Sequence, residues 1–496
     1  MTDAPKSPSR EPRTTSAEPP TGEDGRRTTT AGLPPLGSES AEGIFSRTYA
    51  AATSSFAAVM FLTGLAALAV VPTLPTAARD LDGVSLFPLV AGCFVAASLL
   101  GGVLGGHWAD RAGANRPLAA GMVLAVVTLL VSASSTSIWQ LAAGRFVDGV
   151  AGGMVAVAIN TAIGQAYPER LQPRALALMS ACWIIPSLVG PPLAGLVAEW
   201  WSWRAVFYGL AALTALPALA VVALLNGRSW KAVPAPSKER TPRPAVTIAV
   251  AVSVGAALGQ YGVSGWDTRH LLFAVAGLAL MVLFAFRLLP AGTWRAARGL
   301  PATVLLRGLS SGVFFTLEAF VPLMLVTGRD VAPVVTGLAF TGAALAWAAA
   351  SWVQGRLPER TPRHRLVVVG ASVQVVAIVI ASVGSLPGMP AITAASSMVV
   401  AAVGMGLLAP SLTVLSLAHA PAGRQGYASS AMQTTQNLGQ ILVLGIASAV
   451  FNAFLGGGSD DHVGYAAAFG LLLVPGVLAA VLAGRARGAQ TSRTRR

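Results

Sequence analysis

Charge, cysteine and histidine are all scarce in this chain of 496 residues. Asp, Glu, Lys and Arg make up 11% of positions, against about 25% in a soluble protein, and mean hydropathy is +0.65. Over such a length, that balance excludes a soluble globular protein. The two cysteines, Cys93 and Cys182, lie inside apolar runs and offer neither a disulfide framework nor a metal-ligand spacing. The five histidines are scattered with no pair at zinc-site spacing, so no metal site is expected. No Gly-Lys-Ser/Thr phosphate loop occurs, which excludes an ATP-driven pump. No nucleophile motif or convergent catalytic set is present, so neither an enzyme nor a cofactor is expected.

The long apolar runs carry the information. A helix needs ~20 mostly apolar residues to cross ~30 Å of hydrocarbon, and helices are required because the bilayer offers backbone groups no water. Fourteen spans are predicted: 49–75, 85–106, 117–135, 138–162, 174–198, 204–225, 246–264, 271–289, 302–326, 332–355, 366–385, 389–417, 428–455 and 464–484. Alternating strands of ~10 residues, the mark of a β-barrel, are missing. Residues 1–46 are rich in Ser, Thr, Pro and Gly and read as a disordered tail. They lack the short apolar core of a signal peptide. Residues 485–496 form a second polar tail that carries five arginines.

The net charge of +14 is explained by where the basic residues fall. With the N-terminus inside, 28 of 34 Lys and Arg lie on inner segments. Only Arg79, Arg204, Arg269 and Arg329 lie on outer loops, and Arg145 and Arg307 lie within spans. The asymmetry obeys the positive-inside rule in every loop. Both termini are therefore expected in the cytoplasm of a plasma-membrane protein. The basic excess is a topology signal and a contact for anionic lipid; no nucleic-acid partner is expected.

A repeat emerges along the chain. After the second span comes Gly106-His-Trp-Ala-Asp110-Arg111-Ala-Gly113-Ala-Asn-Arg116. After the tenth comes Gly355-Arg-Leu-Pro-Glu359-Arg360-Thr-Pro-Arg363-His-Arg365. Each has a glycine, an acid four residues on, then arginines, on what reads as a short inner loop. Internal repetition is characteristic of secondary transporters, whose substrate site lies at the repeat interface near the midplane. The expected organisation is a disordered cytoplasmic tail (1–46), an N-terminal six-helix bundle (47–226), a basic loop with two extra helices (227–299), a C-terminal six-helix bundle (300–484) and a basic tail (485–496).

The first loop resembles the signature of the major facilitator superfamily. The fourth span carries Leu141-Ala-Ala-Gly-Arg145-Phe-Val-Asp148-Gly149, similar to that family's fourth-helix motif, with Asp148 where Gln is usual. The fifth carries Gly190-Pro191-Pro192-Leu193-Ala194-Gly195, similar to the Gly-Pro motif of the antiporter branch, although Pro186 replaces its first Gly. Trp203-Arg204 and Phe207 fit the same branch. Fourteen spans resemble the drug/proton antiporter subgroup that includes actinobacterial antibiotic exporters. That subgroup often has an acid about nine residues before a Leu-Pro in its first helix; here, before Leu74-Pro75, the position is Ala66.

Intramembrane ionisable residues are functional candidates by default, because a charge at the helix centre costs ~2.5–3.5 kcal/mol. Four lie within spans: Arg145, Asp148, Arg307 and Glu318. Arg145 and Asp148 are i,i+3 and can touch. They form either a titrating pair or a permanently paired structural ion pair that packs their helix against another. The resemblance implies a coupling role for Arg145. Arg307 lies a turn or two from the inner interface and reads as a topology anchor that snorkels. Glu318 sits in Phe314-Phe315-Thr316-Leu317-Glu318-Ala319-Phe320 with no basic neighbour within a turn. An acid among phenylalanines suits proton exchange and a lipophilic cation; the alternative is a neutral Glu bonded across helices. The resemblance places its span, the first of the second half, against the central cavity, which is expected to include Phe315, Glu318, Gln433 and Asn437. Gln433, Gln436, Asn437 and Gln440 form a polar stripe at helical spacing that either lines a path or binds helices together.

The loop residues Gly106, Asp110, Arg111, Gly113, Arg116, Gly355, Glu359 and Arg360 are expected to gate. Gly106 and Gly113 would permit close backbone approach, and the charges would make contacts that form in one access state. Gly190, Pro191 and Gly195 are expected to interrupt their helix and act as pivot and seal. The expected fold is all-α and polytopic. The expected function is proton-coupled export of a small lipophilic molecule by alternating access, as a monomer. The alternative is import or export of one specific metabolite on the same fold.

Overall fold

The structure is a computed structural model that describes residues 43–168, 171–226, 243–357, 361–420, 425–456 and 461–487. Glu359 and Arg360, residues 1–42 and 488–496 of the two tails, and all of the basic stretch 227–242 lie outside the described residues. Among the described residues there is no strand.

The first span is α1 (Ala50–Ala69) and α2 (Leu74–Asp80), joined by a 3-10 turn at Val71–Thr73. Pro72 and Pro75 explain the join, since each removes an N–H from the ladder. Next come α3 (Phe87–Ala112), α4 (Asn115–Ala133), α5 (Ile138–Ala166), α6 (Gln172–Ala181), α7 (Ile184–Trp200) and α8 (Trp203–Asn226). The extra pair is α9 (Arg243–Gly262) and α10 (Thr268–Leu288). The remaining helices are α11 (Leu300–Leu323), α12 (Pro333–Arg356), α13 (Arg363–Gly384), α14 (Ala391–His419), α15 (Gln425–Gly456), α16 (Asp461–Leu471) and α17 (Leu473–Leu482). Ten of these segments are long and apolar enough to cross a membrane, and four shorter apolar helices bring the number to the expected fourteen. Local signals set several starts. Ser137 caps α5 by accepting from the Gln140 N–H at 3.3 Å, and Asp267 caps α10 at His270. The His270 ring also hydrogen-bonds the Asp267 carboxylate and holds it below the usual carboxylate range.

Three boundaries differ from expectation. The second span does not end at residue 106: α3 runs on to Ala112, so Gly106, Asp110 and Arg111 lie on a helix and not on a loop. The apolar run stops there but helical hydrogen bonding does not. It ends at Gly113, whose φ of +80° strains any other residue. Gly355 likewise lies inside α12. The fifth span is broken at Cys182–Trp183, whereas α7 continues unbroken through Pro191 and Pro192.

Packing relies on glycines where backbones cross. A Cβ on Gly153 would meet the Ser98 carbonyl oxygen at 2.1 Å, and one on Gly439 would meet that of Gly308 at 2.0 Å. These crossings seat α5 on α3 and α15 on α11. The extra pair is fixed by polar bonds. The Ser253 hydroxyl donates to the Ala96 carbonyl (2.6 Å), and the Gln260 amide donates to the Ile441 carbonyl (2.8 Å). Helix α9 thereby lies between α3 and α15, while α10 exposes Leu271, Leu272, Val275 and Leu283 outward.

One end of the bundle, here the basic end, carries Arg111, Arg116, Arg295, Arg298, Arg363 and Arg485. At the opposite end, charged side chains tie helices together. Arg79 on α2 pairs with Asp330 at 2.6 Å and donates to the Val326 carbonyl at 2.9 Å. Asp80 accepts from the Trp203 indole (3.0 Å) and from Arg204 (2.7 Å), and Arg204 also donates to the Ser135 carbonyl. Asn452 on α15 donates to the carbonyls of Ser85 and Val263.

Candidate functional site

A cavity of about 370 Å³ lies between α1, α3, α5, α11 and α15. Its walls are mostly apolar, with Leu68, Val71, Ala91, Val95 and Leu444. The polar groups enter from four helices: Ser98 on α3, Arg145 on α5, Glu318 on α11, and Gln433, Gln436, Asn437 and Gln440 on α15. Phe315 lines it beside Glu318. The structure thus brings together Arg145, Phe315, Glu318, Gln433 and Asn437, which the sequence singled out separately. The α15 stripe faces the cavity, with Gln433 donating to Asn437 at 3.2 Å, because those positions recur on one helix face while Thr434 and Thr435 turn into the packed side.

Glu318 occupies the centre of the α11 wall. Among the described residues no hydrogen bond or ion pair engages its carboxyl group, which faces the cavity and not a neighbouring helix. Its phenylalanine neighbours divide. Phe314 packs edge-on against Trp347 (5.1 Å between centroids) and Phe320 against Phe451 (5.5 Å), so Phe315 alone of the three accompanies Glu318 into the cavity.

Arg145 and Asp148 form a buried ion pair at 2.6 Å, their side chains only 3% and 11% exposed. The Arg145 guanidinium also lies 4.5 Å from the centroid of the Phe94 ring. The pair is closed in on itself: Arg145 reaches the cavity wall, and Asp148 behind it holds the charge in place. A buried pair of this kind contributes little net stability, yet removal of one partner leaves an uncompensated charge.

Arg307 does not snorkel. Its guanidinium donates twice to the Gln436 side-chain oxygen (2.9 and 2.6 Å), in a smaller pocket of about 150 Å³ that shares Gln433 and Gln436 with the main cavity.

The Gly-Pro segment of α7 packs against α1 on one face and α12 on the other. A Cβ on Gly190 would lie 3.1 Å from Leu65. A Cβ on Gly195 would meet the Pro333 carbonyl oxygen at 2.6 Å, and one on Gly337 would meet that of Pro191 at 2.5 Å. Pro192 has no N–H to give to the Leu188 carbonyl four residues back. The Thr341 hydroxyl of α12 donates to that carbonyl at 2.9 Å. The neighbouring helix thus supplies one of the two bonds that Pro191 and Pro192 remove.

The residues expected to gate are less engaged. Arg111 and Arg116 are exposed, and neither has an ion pair or side-chain hydrogen bond among the described residues. The Asp110 side chain, with Glu359 and Arg360, lies outside the described residues. Gly106 and Gly113 do not serve close approach: a Cβ on Gly106 would touch Val157 at an ordinary 3.5 Å, and one on Gly113 would meet nothing within 4 Å, as is also true of Gly355. Gly101 and Gly105, five residues and one residue before Gly106, are pressed against the α5 backbone.

Sequence reasoning missed Trp183, Phe94, Gln260 and Thr341. Trp183 lines the cavity from the α6–α7 break and packs 3.2 Å from where a Gly64 Cβ would stand. The indole itself gives no sign of a break; the signal is Pro186, which falls in the first turn of α7 and has no N–H for the Cys182 carbonyl. Thr341 becomes visible only once Pro192 is seen opposite it.

Known proteins resemble the chain in sequence and in fold. A probable multidrug-efflux transporter of Mycobacterium tuberculosis is 29% identical over 82% of this chain and 88% of its own length. An efflux pump of Dothistroma septosporum is 26% identical over 30% of this chain and 26% of its own length. A crystal structure of the peptide transporter POT in complex with sulfate shares the fold at a TM-score of 0.66, with 15% identity over 88% of this chain and 96% of that one. A D-xylose-proton symporter does so at a TM-score of 0.60, with 15% identity over 89% of this chain and all of that one. The family model described as Major Facilitator Superfamily matches residues 56–444, and the chain, a multi-pass membrane transporter by its helices and not an enzyme, belongs to that family.

Proposed function

We propose that this protein exports small lipophilic molecules across the plasma membrane in exchange for protons, by alternating access of the central cavity. The basic end faces the cytoplasm, as the positive-inside rule requires. The observation that carries the reading is Glu318: an unpaired carboxyl group within a spanning helix, facing a mostly apolar cavity beside Phe315. A group with no fixed partner can be claimed by either a proton or a cationic substrate, and that exclusivity is what couples the two flows. Asp148 is unsuited to that role because Arg145 already occupies it at 2.6 Å. Arg145 instead presents a fixed positive charge opposite Glu318. The similarity to mycobacterial probable multidrug-efflux transporters supports export of drug-like molecules. The membrane potential supplies about 2.3 kcal/mol per charge per 100 mV, enough for substantial accumulation per proton.

The test is efflux of a lipophilic cationic dye from proteoliposomes, with and without an imposed proton gradient. Wild type should expel dye only with the gradient. Glu318→Gln should abolish gradient-driven efflux while still exchanging dye down its own gradient. Dye movement that ignores both the gradient and Glu318→Gln would overturn proton-coupled export.

A further inference from the structure

We infer that the pocket around Arg307 is an oxyanion subsite that takes a carboxylate or similar anionic group of the transported molecule. The assignment to substrate rests on the transporter reading above; the anion site itself does not. A cation inside a spanning helix is expected to be paired with an acid, since an isolated buried charge is costly. Arg145 follows that rule and Arg307 does not. Its partner is the neutral side-chain oxygen of Gln436, and no ion pair involves it among the described residues. Arg307 therefore carries an uncompensated positive charge at the wall of a cavity.

A second, independent observation points to the same place. Ser416 on α14 lines this pocket and is 1% exposed, yet its hydroxyl has no hydrogen-bond partner. Other hydroxyls on the same helix satisfy themselves by donating back one turn, as Ser411 does to Leu407 and Thr413 to Ala409. An unsatisfied buried hydroxyl is costly. Here it stands where a donor to a bound anion is wanted. With Gln433 on the third side, the pocket presents guanidinium, hydroxyl and amide and no carboxylate.

The pocket is placed to act with Glu318. Arg307 and Glu318 are eleven residues apart on α11. At 3.6 residues per turn and 1.5 Å rise, they share one face about 16 Å apart. Gln433 and Gln436 line both pockets and so connect them. One wall thus offers a cation at one end, an acid at the other and an apolar surface between. The matching substrate class is an amphoteric lipophile, with an acidic group for Arg307 and a basic centre for Glu318.

The test uses the purified full-length protein in detergent and reads thermal unfolding against benzoate, its neutral isostere benzamide, and chloride at matched ionic strength. A ligand bound only by the folded state raises the melting temperature with concentration. Benzoate should do so, and benzamide and chloride should not. Arg307→Gln should weaken the benzoate response at least about tenfold, the effect of losing hydrogen bonds to a charged group. Arg307→Lys should retain part of it, and Ser416→Ala should weaken it several-fold. Equal responses to benzoate and benzamide, no benzoate response in wild type, or a response that survives Arg307→Gln would overturn the site. Should Arg307→Gln fail to fold, the wild-type comparison and Ser416→Ala still decide. Loss of dye efflux coupling would sink the export reading and leave this result standing.

Discussion

Two charged residues on one α5 face, Arg145 and Asp148, show what a single side chain controls here. Their i,i+3 spacing was visible in the sequence, and so was the question of whether they titrate or stay paired. Only the structure shows the pair buried at 2.6 Å. Asp148→Asn would leave Arg145 without its counter-charge, a change that costs about 3–5 kcal/mol in buried pairs. The expected outcome is a sharp drop in melting temperature and in yield from membranes. A paired change, Arg145→Gln with Asp148→Asn, should recover much of the loss, because no lone charge is left. A double-mutant cycle on thermal unfolding checks this; additive losses would mean that the pair is not coupled. Glycines behave differently by position, and the sequence alone does not rank them. Gly439→Ala drives a Cβ into the Gly308 carbonyl oxygen and should destabilise by at least the 1–3 kcal/mol typical of overpacking. Gly355→Ala meets open space and should leave the melting temperature unchanged or slightly raised, since Ala favours a helix over Gly.

Elements were more legible than their joints. Every one of the fourteen spans was readable because a spanning helix must be apolar for most of its length, a constraint that acts on twenty residues at once. Breaks depend on one or two residues and on what lies opposite them. The sequence pointed to an interruption at Gly190-Pro191-Pro192, yet α7 runs through and the chain breaks instead at Cys182–Trp183. The reason lies on another helix. Thr341 donates to the Leu188 carbonyl that Pro192 leaves open, so a proline that would otherwise force a break is accommodated. The residues Gly195 and Gly337 press the two helices close enough for that bond to form. Thr341→Val keeps the shape and removes the donor, leaving a half-buried carbonyl unsatisfied at a cost of about 1–3 kcal/mol. Thr341→Ser should restore the bond. Thermal unfolding of the three proteins checks it, and equal melting temperatures would show that the bond is not what carries α7 through its prolines. The cavity was legible in the same partial way. The α15 stripe and Glu318 were recognisable by type and spacing, but Phe94 and Trp183 carry no polar signal that marks them as its walls.

At the scale of the whole molecule, residues 44–226 and 300–487 are tied where the chain is least basic. Arg79 reaches Asp330 and the Val326 carbonyl, and Asn452 reaches the Ser85 carbonyl. Thr341 adds a tie nearer the middle. Alternating access requires such ties to break when the cavity opens on that side, so their strength must be small enough to reverse. The Arg79–Asp330 pair meets that condition. Its side chains are 48% and 88% exposed, and exposed pairs contribute about 0–1 kcal/mol. One kcal/mol is about a fivefold change in a two-state ratio. Asp330→Asn should therefore raise the population open at this end by up to about fivefold and should not lock the protein. Arg79→Gln should raise it further, because the bond to the Val326 carbonyl goes as well. Spin labels at Asp82→Cys and Leu386→Cys, in a protein with Cys93 and Cys182 replaced by alanine, report the separation across this end. Both substitutions should move weight from the short to the long distance, Arg79→Gln more than Asp330→Asn. An unchanged distribution in both would mean that closure here is not held by this charged pair, and Gly337→Ala at the glycine-packed α7–α12 contact and Asn452→Ala at the bond to Ser85 would then be the substitutions to compare.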